Sequence, residues 1–248
     1  VGKNGFCRRA AIAAALVLVG AAGAGHAHDP SPRPEAAAES ARVPERSAAF
    51  DYDAPAPGTY ELPPLRDAVD GAVLDAAGTN RRLFEAFAGK VVLLSFIYTR
   101  CADAAGCPVA TAALADIAQA SAHDPELAHN LRLVSLSFDP GHDTPAVLAA
   151  FAAPLLASTS GPRAEWTFLT AASEQALEPI LAGYDQVVVK NLGPGKVFDG
   201  TFEHLLRVYL IDRRAQVRNI YGASLLDPRL LVADVKTLLL EERAAARR

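Results

Sequence analysis

The sequence predicts an α/β protein: a central, mainly parallel sheet flanked by helices, closed by a C-terminal β-hairpin and helix. Two observations carry this. Short apolar runs rich in Val, Leu, Ile and Phe alternate with segments whose apolar residues recur at helical spacing. Near the C-terminus, residues 205–211 and 217–221 flank Asp212-Arg-Arg-Ala215, the pattern of two strands and a turn.

The first 27 residues read as an address. Lys3, Arg8 and Arg9 precede an apolar stretch of Ala, Leu, Val and Gly, and small residues follow at Ala22, Ala24 and Ala27. A basic start, a short apolar core and small residues make a secretory signal peptide. A spanning helix wants ~20 strongly apolar residues, so cleavage is expected, and membrane attachment only if the segment is retained. Cys7 would leave with it. His28 would then stand at the new N-terminus, and His26 just before the cut. Residues 28–64 hold many Pro, Ala and charged residues, few large apolar ones and no period, and are expected to be a flexible linker. The folded domain is expected over residues 65–245.

Within it, Gly71-Ala-Val-Leu-Asp-Ala-Ala-Gly78 reads as a strand and turn leading to a helical turn with Leu83, Phe84 and Phe87. Residues 91–98 form a near-continuous apolar run, suited to a strand buried on both faces. Pro108 suits the first turn of a helix that places Ala110, Leu114 and Ile117 on one face. Residues 131–138 are the next strand. Thr144 caps a helix with Leu148 and Phe151 inward, expected to stop at Pro154. Residues 166–169 make a short strand. Ser173 caps a helix with Leu177, Ile180, Leu181 and Tyr184, which Pro179 should kink or shorten. Asp227-Pro228 opens the last helix, carrying Leu231, Val235 and Leu238. Strand and helix alternation with a closing hairpin narrows the α/β class to a thioredoxin-like sheet.

Composition sets limits on function. The chain has 248 residues, 51% of them in the AVILMFWYC set, and a formal net charge of −4, so a phosphate-tracking nucleic-acid binder is disfavoured. Three Cys exclude a disulfide-rich scaffold, and the absence of Met excludes a Met-rich copper segment. Export to the periplasm would place Cys101 and Cys107 in an oxidising compartment, where a plain disulfide bond is the simplest reading.

The chemistry nonetheless points to those two cysteines. They follow the central strand and precede a helix, where open α/β sheets place ligands. A helix N-terminus is expected to lower a thiol pKa and supply thiolate, which is both nucleophile and soft metal ligand. At Cys-x5-Cys spacing the intervening loop must fold back to bring the sulfurs together, and Gly106 eases that turn. His123, His129 and His142 lie in polar stretches and read as solvated surface. His204 differs, because it enters a strongly apolar strand expected to face the Cys loop. Two thiolates and one imidazole suit Cu(I), and also Cu(II) or Zn²⁺, but lack the fourth ligand of a closed zinc site.

Four separated blocks then make a resemblance: Gly89-Lys-Val-Val-Leu-Leu-Ser-Phe-Ile-Tyr-Thr-Arg-Cys101; Cys107-Pro108; Ser137-Phe-Asp-Pro-Gly-His-Asp-Thr-Pro145; and Asp199-Gly-Thr-Phe-Glu-His204 with Tyr-Leu-Ile-Asp212. Together they resemble the Sco/SenC family, thioredoxin-like copper proteins that help to assemble the copper centre of cytochrome c oxidase. The likeness runs over about residues 65–243. It implies copper ligands at Cys101, Cys107 and His204, and an acidic residue beside the site at Asp139. The family pattern is Cys-x3-Cys-Pro, and this loop is two residues longer.

The expected function is therefore an exported copper metallochaperone, not an enzyme. Its expected partners are a copper donor and the copper-bearing oxidase subunit or another exported cuproprotein. Two alternatives stay open: a periplasmic thiol–disulfide oxidoreductase using Cys101 and Cys107 as redox-active thiols, and a copper or redox sensor.

Overall fold

The computed structural model describes residues 50–157 and 161–247. The expected signal peptide (1–27) and the expected linker as far as residue 49 lie outside them. In chain order the first elements are β1 (Arg66–Asp67), β2 (Ala72–Leu74), β3 (Asn80–Arg82), α1 (Leu83–Phe87), β4 (Val91–Ile97) and α2 (Cys107–Ser121). Next come α3 (Pro125–Asn130), β5 (Leu131–Ser137), α4 (Pro145–Ala157), β6 (Glu165–Leu169) and α5 (Glu174–Gly183). The chain finishes with β7 (Val188–Leu192), β8 (Phe198–His204), β9 (Val208–Ile211), β10 (Gln216–Tyr221) and α6 (Pro228–Ala246).

Every residue of β4 is buried, as its unbroken apolar run requires of a central strand. The six-stranded sheet has the order β1-β10-β9-β4-β5-β6. β4 pairs in parallel with β5 from Val91↔Leu131 to Ile97↔Ser137, and β5 in parallel with β6. On the other side β9 runs antiparallel to β4, β10 to β9 and β1 to β10. The α/β, thioredoxin-like expectation is met. The parallel pairing is confined to β4, β5 and β6, the strands joined by helical crossovers; β9 and β10 are joined by a tight turn and must be antiparallel.

Local chemistry sets the helix starts. Asp124 accepts hydrogen bonds from the backbone N–H of Glu126 (3.0 Å) and Leu127 (3.1 Å), which opens α3. Ser173 caps α5 through the N–H of Ala176, and Asp227 caps α6 through that of Arg229. α4 runs past Pro154 to Ala157, and α5 contains Pro179, so neither proline ends its helix. No helix among the described residues is long and apolar enough to cross a membrane.

Three differences from the sequence reading bear on the site. α3 was not expected, because its six residues are too few to show a period. The strand expected from residue 205 begins at Val208, and residues 198–204 form a separate strand, β8, paired with β7 outside the main sheet. His204 is therefore the last residue of β8 rather than the entry to β9. Finally, residues 58–62, within the expected linker, lie along α6: the Gly58 N–H donates to Thr237 Oγ1 (2.9 Å) and the Tyr60 hydroxyl to Asp234. The packed unit thus starts before residue 65.

Candidate metal centre

The carboxyl end of β4 is anchored before the chain turns into the cysteine loop. Thr99 donates its backbone N–H to Asp143 Oδ2 at 3.0 Å and its hydroxyl to Oδ1, and the Ser137 hydroxyl donates to the same carboxylate. Asp143 is fully buried, and through it the entry to α4 joins the ends of β4 and β5. Sequence reasoning quoted Asp143 within a motif and gave it no role. Its only signal there was an acid beside a helix-capping Thr144-Pro145.

The loop itself is a set of small turns. The Cys101 N–H donates to the Tyr98 carbonyl (3.2 Å), that of Ala105 to Asp103 Oδ1 (3.0 Å) and that of Gly106 to the Asp103 carbonyl (2.9 Å). A Cβ at residue 106 would lie 3.1 Å from Cys101 Sγ and 3.3 Å from the Asp103 carbonyl oxygen. A side chain here would press on backbone and sulfur, and glycine leaves both undisturbed. Cys107 then begins α2, with Pro108 in the first turn as expected.

The ligand atoms of Cys101, Cys107 and His204 all lie within 4.8 Å of one another. Cys107 Sγ is 3.6 Å from His204 Nε2. Both cysteines are free thiols, Cys101 half-buried and Cys107 buried. The His204 ring sits against Phe138 (centroids 5.0 Å apart) and edge-on to Tyr98 (5.8 Å), and Phe202 packs on both of those rings. Its Nδ1 is buried and makes no hydrogen bond among the described residues.

Burial dominates the electrostatics. It pushes the His204 pKa down, against the Leu205 backbone and the Asp103 charge, and so favours the neutral imidazole that can act as a ligand. It pushes the Cys107 thiol up to about 12; the Tyr98 backbone N–H pulls the other way and the neighbouring Cys101 adds to the rise. The expectation that this pKa is lowered is corrected: at a buried sulfur, desolvation outweighs the backbone N–H donors, and the net direction is upward. The Tyr98 hydroxyl is also raised to about 12, by burial and then by Cys101. An anion is costly in this pocket unless a cation joins it. Two sulfurs and an imidazole converging there fit a soft metal ion by donor type and by number.

Asp139 is buried, but its donor atoms are not among the three that converge. Its carboxylate accepts from Arg100 Nη2 at 2.8 Å, and its backbone N–H donates to Ser137 Oγ at 3.0 Å. It meets the cysteine loop through Arg100, the residue before Cys101. His142 lies half-buried in the turn before α4, His123 and His129 are exposed, and His26 and His28 lie outside the described residues.

Two openings reach the site, the first at Cys101 and the second at both sulfurs. One, of about 320 Å³, is lined by Asp103, Glu203 and His204 among others. The second is an apolar cleft of about 500 Å³ between α2 and α4, lined by Cys101, Cys107, Pro108, Phe151 and Leu155.

A family model described as SCO1/SenC matches residues 73–240. Among solved structures, a SCO1/SenC family lipoprotein from Bacillus anthracis is 27% identical, with a TM-score of 0.57 over 71% of this chain and 97% of that one. BsSco, described as a member of the Sco family of cytochrome c oxidase assembly proteins with a disulfide switch, is 26% identical, with a TM-score of 0.54 over 71% and 95%. ScoI of Bradyrhizobium japonicum, solved with copper bound, is 20% identical and shares the fold, with a TM-score of 0.55 over 69% and 99%. A search of curated proteins finds no match.

Proposed function

This chain belongs to the SCO1/SenC family, and from that premise we propose that it is an exported copper metallochaperone. It would assist assembly of the copper centre of cytochrome c oxidase or of a related cuproprotein. The observation that carries the reading is the convergence of Cys101, Cys107 and His204 within 4.8 Å at the carboxyl end of the central strand. Copper is the cargo. Two thiolates and one neutral imidazole hold Cu(I) with a position left open, through which an acceptor's ligand can enter before these leave. Binding replaces the thiol protons that burial holds on the sulfur, so the cation removes the cost of charging the pocket.

Residues 1–27 are read as the export signal. Mass spectrometry of the exported protein should find an N-terminus at or near residue 28; intact residues 1–27 in a membrane fraction would make it an anchored protein instead.

The direct test is a competition titration of the reduced chain with a Cu(I) chelator. About one copper per chain is expected, following the three-donor set, and Cys101→Ser or Cys107→Ser should abolish tight binding. Wild-type Cu(I) affinity in either variant would place the site elsewhere.

A further inference from the structure

His204 stands on a hairpin that shares no ladder with the main sheet, so something else must hold it over the sulfurs. β7 and β8 form their own two-stranded sheet. One side of β8 is held by Phe202, which packs edge-on against Tyr98 (5.1 Å) and Phe138 (5.4 Å). The other hold is a guanidinium. Arg100 Nη2 donates to the buried carboxylate of Asp139 at 2.8 Å. The same guanidinium lies against Gly200 of β8, where a Cβ would fall 3.2 Å from Nη1, 3.7 Å from Cζ and 3.9 Å from Nη2. Gly200 has φ +91°, a conformation that L side chains avoid.

Three segments thus meet at one side chain. Arg100 belongs to the loop that carries Cys101, Asp139 to the turn before α4, and Gly200 to the strand that ends in His204 four residues later. We propose that Arg100 is a positioning residue: fixed by Asp139, it braces Gly200 and so sets the placement of His204 relative to Cys101 and Cys107. The inference rests on the copper reading for its consequence and on geometry alone for its existence. Cu(I) is held by two thiolates with modest help from the imidazole, while Cu(II) favours nitrogen donors more strongly. The brace therefore bears on Cu(II) affinity above all.

Charge and geometry predict opposite signs. Arg100 is a cation beside a cation site, so on Coulomb grounds its removal tightens copper binding. As a brace, its removal weakens it. Residues that orient metal ligands cost about 10- to 100-fold in affinity when lost, and a loss in that range is expected for Cu(II) in Arg100→Ala. Arg100→Lys keeps the charge, lacks the planar fork, and should lose affinity too. Gly200→Ala strains β8 at φ +91° whatever Arg100 does, so it tests only whether the placement of β8 reaches His204; the Arg100 variants test the contact itself.

The experiment measures Cu(II) affinity and electron paramagnetic resonance of the full chain for these three variants, each alone and combined with His204→Ala. The expected result is weaker Cu(II) binding and an altered spectrum in each variant, with no further loss when His204 is already absent. Unchanged or tighter binding in Arg100→Ala overturns the proposal, as does an equal loss in the His204→Ala background. A second arm uses the metal-free chain: the His204 ring resonances should shift or broaden in Arg100→Ala and Gly200→Ala, and unchanged resonances overturn the brace. If the wild-type chain binds no copper, the metallochaperone reading fails, and this second arm still decides the brace.

Discussion

Gly106 has no side chain to offer the site, and that is its contribution. A methyl group at residue 106 would sit 3.1 Å from Cys101 Sγ and 3.3 Å from the Asp103 carbonyl oxygen. The backbone oxygen is fixed by the turn, so the sulfur must give way. Gly106→Ala should therefore displace Cys101 Sγ by a few tenths of an ångström and lower Cu(I) affinity about tenfold, the scale on which misplaced ligands act. Its thermal unfolding midpoint should change little, since the loop lies at the edge of the core. Wild-type affinity in a Cu(I) competition titration would show that the loop relaxes without moving the sulfur. At this scale the sequence marked Cys101, Cys107 and His204 by type and spacing, and the structure brings the three together. Burial was not legible. A cysteine that opens a helix reads as acidic until the burial of its sulfur is known. Asp143 was passed over for a related reason: its worth lies in contacts with Ser137, six residues away, and with Thr99, forty-four residues away, which the sequence does not show.

α3 shows what one capping residue does for a short element. Asp124 receives the N–H groups of Glu126 and Leu127 and pairs with Lys236 of α6 at 2.7 Å, so it starts the helix and ties it to a neighbour. Burial raises its pKa, but the Lys236 ammonium and the two N–H donors pull further, and the net shift is downward. A carboxylate with a depressed folded pKa contributes stability above its unfolded value, and that contribution is lost as pH falls through the folded value. Asp124→Ala should cost about 1–2 kcal/mol at neutral pH, the upper range for a lost cap. The gap between variant and wild type should close as pH drops below ~4, the ordinary Asp range. Urea unfolding at several pH values checks this; a gap that does not narrow at all as pH falls from neutral through the acid range would assign the loss to packing instead of charge. The helices of regular period were legible as elements, and so were the strands with unbroken apolar runs. The β7–β8 hairpin was not. In β7, Val189 and Leu192 are exposed, so that strand shows no alternation of apolar and polar residues; β8 alternates in burial, but Asp199 and Gly200 near its start weaken the strand signal.

At the scale of the whole molecule, alternation of strand and helix disclosed the β4-β5-β6 half of the sheet. The turn at residues 212–215 disclosed the β9–β10 hairpin, but the pairing of β9 with β4 and of the two-residue β1 with β10 joins segments distant in sequence, which no local pattern records. The same long-range assembly decides the function, because His204 reaches the cysteines only through the fold. Oxidation and copper binding compete for one pair of sulfurs. To form a disulfide, Cys101 and Cys107 must close from within 4.8 Å to about 2.05 Å. The two thiols give up two electrons and two protons to an oxidant such as glutathione disulfide, which leaves as two glutathione thiols. A sulfur bonded to sulfur no longer offers a thiolate, so oxidation should release copper. His204→Ala removes a ligand and leaves both sulfurs in place. It should weaken Cu(II) binding strongly while the dithiol still oxidises with glutathione disulfide, as thiol counting would show. In cells, a metallochaperone predicts that oxidase copper content falls in both His204→Ala and Cys101→Ser strains. A thiol reductant of the oxidase predicts loss in Cys101→Ser alone, since dithiol exchange has no use for the imidazole. Normal oxidase copper in the His204→Ala strain, beside its loss in Cys101→Ser, would overturn copper delivery in favour of thiol reduction.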